Sequence, residues 1–179
     1  TISISLGETE TEEAIHNIAA IFVEVVGKEI STKANYAVTT NSATSALHLA
    51  CMALNLKKGD FLWTSPITFV ASANCAIYCG ANIDFIDIDY KTGLISIEAL
   101  KIKLDKAKKE NTLPKVIIPV HLGGVSCDMD PLFELSKTYG FSLIEDASHA
   151  LGGKYKSKLV GSCIRSSITV FSFHPVKII

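Results

Sequence analysis

KVIIPVHLGGVSCDMDPLFELSKTYGFSLIED, residues 115–146, decides the fold. KVIIPV is a short apolar run of the kind that a parallel sheet buries on both faces. Asp130 followed by Pro131 signals a helix start, Gly140 stops that helix, and FSLIED reads as the next strand. Strand, helix, strand is the unit of an α/β sheet, and the flanking sequence repeats it.

Toward the N-terminus, FLWT reads as a strand and SPI as a turn. TFVASANCAIYCG then reads as a helix ending at Gly80, and IDFIDID as a third strand leading into a loop through Gly93. A lysine-rich helix from about Ser96 to Lys109 passes through Pro114 into KVIIPV. Earlier still, YAV suits a buried strand entering the polar loop TTNSATSAL, after which Leu47, Ala50, Cys51 and Leu54 follow the helical period. TETE at residues 9–12 has capping-box spacing, and Ile15, Ile18, Ala19, Phe22 and Val26 extend it into an amphipathic opening helix. On the other side, a Gly-rich, basic connection, GGKYKSKLVGS, joins FSLIED to a last strand, SITVFSF. The pattern predicts an α/β fold: a mostly parallel sheet with helices on both faces, whose ligands gather at the carboxyl ends of the strands.

Composition narrows the function. The 179 residues are 48% hydrophobic and 20% charged, as in a globular chain with a real core. Lysine plus arginine number 17 against 18 acidic residues, without blocks, which leaves no electrostatic footprint for nucleic acid. Mean hydropathy is high at +0.32, yet Glu24, Asp84 and Pro119 interrupt the apolar stretches before a membrane-spanning length is reached. Five cysteines without a CxxC pair, and no secretory signal, suit reduced thiols in a cytosol. Cys75 and Cys79 stand four apart, but no second Cys/His pair follows, so buried small hydrophobes are expected and no metal site. Thr1 opens the sequence without methionine and Ile179 closes it inside an apolar run, so it reads as a fragment.

Four polar places follow predicted strands. In NSATSAL, small residues at a helix start let backbone N–H groups approach an anion, with Ser42, Thr44 and Ser45 as hydroxyl donors; the same residue types are ordinary N-caps. In TSPITFVAS, Phe69 can stack on a flat heterocycle or pack in the core. In IEDASHA, Asp146 ends an apolar strand, where a buried carboxylate needs a cationic partner such as a protonated pyridine nitrogen, unless it caps the next segment. His149 follows three residues on, within reach of the same ring. In SFHPVK, Ser172 and Lys177 follow a strand, and His174 with Pro175 makes a turn that can aim the lysine inward; a lysine so near a terminus is otherwise a solvated tail residue.

Jointly and in this order, these motifs resemble the DegT/DnrJ/EryC1/StrS aminotransferases, fold-type I enzymes dependent on pyridoxal 5'-phosphate (PLP). The match runs from about Ala34 to Ile179. The resemblance implies a fold-type I large domain over residues 34–179, a helical segment over 1–33, and a C-terminal small domain outside this chain. It makes Thr44, Ser45 and Ser172 phosphate contacts, Phe69 the ring-stacking aromatic, Asp146 the partner of the pyridine nitrogen, and Lys177 the Schiff-base lysine and proton shuttle. His149 would touch the cofactor where the family often has glutamine. The implied activity moves an amino group from an amino acid, usually glutamate, to a nucleotide sugar. NSATSALHLACMAL, WTSPITFVASANCAIYCGA and VFSFHPVKII point to a UDP-linked 4-keto-6-deoxy-N-acetylhexosamine in pseudaminic acid biosynthesis. A cytoplasmic homodimer is implied as well.

Three other readings remain. A sugar dehydratase on this scaffold has histidine where this chain has Lys177. A dinucleotide-binding domain would show GxGxxG, which is absent; Gly123 and Gly124 read as a tight turn. An inactive fragment or a non-catalytic binding domain of the same fold is the third.

Overall fold

The computed structural model describes Ala34 and residues 37–177. The expected opening helix, with its capping box at residues 9–12, lies outside them. Numbered among the described residues, the elements begin with helix α1 (Ala43–Ala53), strand β1 (Phe61–Thr64), α2 (Ala71–Tyr78) and β2 (Asn82–Phe85). There follow α3 (Ile97–Glu110), β3 (Val116–Ile118), a 3-10 turn (Leu122–Gly124), α4 (Met129–Tyr139) and β4 (Ser142–Asp146). The last elements are β5 (Lys154–Tyr155), β6 (Lys158–Leu159) and β7 (Ile168–Val170).

Five strands pair in parallel in the order β2-β1-β3-β4-β7. The chain steps from β1 outward to β2, then reverses across β1 to β3 and β4. With one crossover hand, that reversal must move the connecting helices to the other face. The packing follows the rule. Leu47, Ala50 and Cys51 of α1 and Ala71, Cys75 and Ala76 of α2 cover Leu62, Val116, Ile118 and Ile144 on one face. Leu100, Leu104 and Ala107 of α3 and Met129 and Leu132 of α4 cover Trp63, Ile117 and Leu143 on the other. Successive strand residues enter opposite cores, which is why these strands read as unbroken apolar runs.

Local signals place the helix ends. Ser42 and Ser96 cap α1 and α3, accepting from the backbone N–H groups of Ser45 and Ala99 at 3.2 Å each. Gly140 closes α4 at φ 80°, a left-handed position that suits glycine. That helix begins at Met129, just before the Asp130–Pro131 signal, and Pro131 sits in the first turn, where its missing N–H costs nothing.

Two expectations are corrected. Ala37 and Val38 of YAV form no strand and pair with neither open edge of the sheet, and Val38 is 71% exposed. The connection GGKYKSKLVGS contains the antiparallel hairpin β5–β6, turned by Lys156 and Ser157, both at positive φ. Among the described residues no helix is long and apolar enough to cross a membrane.

Leu104 is fully buried between α3 and the sheet. Leu104→Ala is expected to cost about 2–5 kcal/mol of unfolding free energy, while Lys101→Ala on the exposed side of α3 changes it by less than about 0.5 kcal/mol. Urea unfolding of both variants checks this, and equal effects would refute the assigned helix face.

Candidate cofactor site

The strand ends on one rim carry the polar residues singled out by the sequence. Asp146 ends β4 and is only 4% exposed. Its backbone is clamped to the end of β3, with its N–H donating to Pro119 O and its carbonyl accepting from His121 N–H, both at 3.0 Å. Its Oδ1 accepts from Ser148 N–H at 3.1 Å and Ser148 Oγ at 2.7 Å, and its Oδ2 from Ser72 Oγ at 2.6 Å. The bond to Ser148 N–H is a local turn cap, so the capping role and the inward-facing role coexist on one side chain. Among the described residues no lysine, arginine or histidine forms an ion pair with it. A carboxylate this deep is costly unless a positive charge joins it.

Lys177, His149 and Phe69 are brought together from three loops. Lys177 Nζ lies 3.1 Å from His149 Nε2 and 5.9 Å from the centroid of the Phe69 ring. His149 Nδ1 accepts from Gly123 N–H at 3.3 Å, so the proton of the neutral ring sits on Nε2 and points at the lysine. The backbone N–H of Lys177 bonds His174 O at 2.9 Å, which makes SFHPVK the turn its His–Pro pair suggested. Phe69 is 66% exposed, so its ring face is open rather than packed in the core.

The phosphate candidates stand apart from that group. Ser45 Oγ donates to Asn41 Oδ1 at 2.7 Å, and its N–H is taken by Ser42 Oγ. The N–H groups of Ala43 and Thr44 have no acceptor within α1 and are the ones left for an anion. Ser172 is buried two residues past β7, and its Oγ accepts from His174 N–H at 3.4 Å. Packing of α1 on β7 puts these groups on neighbouring elements, but no hydrogen bond joins Thr44, Ser45 or Ser172 to Asp146, His149 or Lys177.

Sequence reasoning missed several participants. Ser72 is fully buried, and Thr68 Oγ1 lies 2.8 Å from its hydroxyl; their four-residue spacing was the available signal. On the opposite face of β4, Glu145 Oε2 lies 2.8 Å from His121 Nε2, and Oε1 accepts from Ser166 and, at 3.1 Å, from Thr169. Burial pushes the Glu145 carboxyl upward, but the hydrogen bonds from His121, Ser166 and Thr169 outweigh it and hold the group below the usual carboxylate range. Beside it, burial pushes the Cys127 thiol up to about 12.

A parallel sheet covered on both faces, with its polar residues on the rim of strand carboxyl ends, is the large-domain architecture of fold-type I PLP-dependent enzymes. The chain belongs to the DegT/DnrJ/EryC1/StrS aminotransferase family, whose model matches residues 24–179. The family is PLP-dependent. Over 156 residues the chain is 46% identical to a UDP-4-amino-4,6-dideoxy-N-acetyl-beta-L-altrosamine transaminase of Campylobacter jejuni, covering 87% of this chain and 39% of that protein. A family aminotransferase from Brucella abortus superposes with a TM-score of 0.81 at 27% identity, over 88% of this chain and 42% of its own. The Helicobacter pylori aminotransferase involved in biosynthesis of pseudoaminic acid superposes with a TM-score of 0.76 at 29% identity, over 99% and 48%. The chain thus spans less than half the length of these relatives.

Glu145 generates an acid-stability prediction. Its folded pKa lies below its unfolded one, so its stabilising contribution is complete above the ordinary carboxylate range and is lost as pH falls through the folded value. Urea midpoints measured from neutral pH downward are expected to fall across that window, with a shallower fall in Glu145→Gln. An unchanged acid slope in the variant would overturn the assignment.

Proposed function

We propose that this chain is the cofactor-binding part of an aminotransferase that moves an amino group from an amino acid, glutamate by family habit, to a UDP-linked 4-keto-6-deoxy-N-acetylhexosamine. The observation that carries the reading is the buried Asp146 carboxylate, without a cation among the described residues, on the rim that also holds Phe69, His149 and Lys177. A protonated pyridine nitrogen is the cation such a carboxylate lacks, so the residues present fit PLP. When bound, PLP supplies an electron sink that lets the α-proton of the amino donor leave, and it stores the amino group for the sugar ketone.

The chain's own residues divide the remaining work. Asp146 keeps a proton on the ring nitrogen. Phe69 offers its exposed ring face, and the start of α1 with Thr44, Ser45 and Ser172 holds the phosphate. Lys177 would be the covalent anchor and, once its amine is freed by the incoming amino group, would take and return a proton at Nζ in each half-reaction, with His149 Nε2 beside it. The sugar, the UDP group and the donor's identity follow from the Campylobacter jejuni relative's name and from the resemblance. Residues 34–179 act as the large domain. The partner arrangement that goes with this reading is a homodimer in the cytoplasm.

Addition of PLP is expected to give a violet absorbance band that borohydride fixes covalently to the chain. Lys177→Ala should abolish the fixation and lower amination of the keto sugar by at least ~100-fold. A band that survives in Lys177→Ala, or fixation to another lysine, would sink the assignment; a wild-type chain that binds PLP but aminates no nucleotide sugar would sink the substrate.

A further inference from the structure

An ionised carboxylate offers about four lone-pair positions, and the structure fills most of those on Asp146. Oδ1 takes the N–H and the hydroxyl of Ser148, at 3.1 and 2.7 Å, and Oδ2 takes the hydroxyl of Ser72 at 2.6 Å. The position left open is on Oδ2. Ser72 Oγ has one proton and gives it to Asp146, so at its 2.8 Å contact with Thr68 it must accept, and Thr68 must donate. The hydroxyls therefore form a directed chain, Thr68 to Ser72 to Asp146.

The same serine also grips the other side of the site. The backbone N–H of Ser72 donates to the carbonyl of Phe69 at 3.1 Å, and Thr68 directly precedes Phe69. One fully buried residue thus ties the segment carrying the open aromatic face to the carboxylate at the end of β4, across 74 residues of sequence. Satisfying a buried acceptor would need only the hydroxyl. The double grip additionally fixes two groups that must meet one flat ring, Phe69 at its face and Asp146 at its nitrogen.

We infer that Ser72, with Thr68 behind it, is a positioning residue that selects Oδ2 of Asp146 as the acceptor for the ring nitrogen and sets that oxygen against the Phe69 face. This rests on the proposed role of Asp146. Loss of the Ser72 hydroxyl leaves the carboxylate plane held only at Oδ1, by Ser148, so Oδ2 loses its own tether, which weakens the grip on the ring nitrogen and changes how the bound ring titrates.

The test uses the full chain loaded with PLP, reading affinity by spectral titration and the pH midpoint of the bound-cofactor absorbance. Ser72→Ala is expected to weaken PLP binding by roughly tenfold, as loss of a hydrogen bond to a charged group does, and to move the midpoint in the same direction as Asp146→Asn by a smaller amount. Ser72→Thr, which keeps the hydroxyl, should retain both values. Thr68→Val should shift both in the Ser72→Ala direction, and it serves as the deciding variant if Ser72→Ala does not fold. Wild-type affinity and midpoint in Ser72→Ala, or in Thr68→Val in its place, overturn the inference while leaving the Asp146 reading intact. An unmoved midpoint in Asp146→Asn, or no loading of the wild type, overturns that reading and this one with it.

Discussion

Two adjacent acids, Glu145 and Asp146, end the interior strand β4, and both are buried. Strand geometry sends them to opposite faces, so each has to be satisfied by a different layer of the protein. Asp146 meets Ser72 on the layer of α1 and α2, and Glu145 meets His121 on the layer of α3 and α4. Because a buried carboxylate left unsatisfied costs several kcal/mol, α2 cannot shift against β4 without breaking the Ser72 contact, and Glu145 likewise ties the loop after β3 and the strand β7 to β4.

The position of that pair follows from topology. The reversal of strand order between β1 and β3 leaves the loops that follow β1, β3 and β4 on one rim. Open parallel sheets hold ligands at such a rim because helix N-termini and strand ends converge there. The loop after β1 supplies Thr68 and Phe69, the loop after β3 supplies Gly123, and the end of β4 supplies Asp146 and His149. Hydrophobic burial on both faces makes the sheet rigid, and the polar residues sit where its apolar runs stop.

What the sequence made legible was local. Apolar runs such as Val116–Ile118, helix periods and stops such as Gly140 need only neighbours in the chain to be read, and they matched the structure. Asp146, His149, Phe69 and Lys177 drew notice in the sequence because each stands at or after the end of a predicted strand, and the structure brings Phe69, His149 and Lys177 together. Ser72 was not, since its partner is 74 residues away and a serine inside a small-residue helix reads as filler. Glu145 was passed over beside Asp146 because strand alternation alone does not say that both faces are buried. YAV misled because an apolar triplet forms a strand only where it pairs with a partner, and Ala37 and Val38 pair with no described strand.

The loop from His121 to Cys127 orients an imidazole on each face of the sheet at once. Gly123 and Gly124 both take positive φ, which lets the chain double back and aim backbone N–H groups at imidazole nitrogens. Gly123 N–H meets His149 Nδ1 and Cys127 N–H meets His121 Nδ1. Each histidine, its Nδ1 occupied as an acceptor, is left presenting Nε2–H, one to the Glu145 carboxylate and the other to the Lys177 amine. The first contact joins His121 to Glu145, and the second joins His149 to Lys177. A side chain at Gly123 would meet no neighbouring atom but would resist the left-handed backbone. Glycine at 123 is therefore favoured by the direction of its own N–H, and through it by the orientation of His149 toward Lys177.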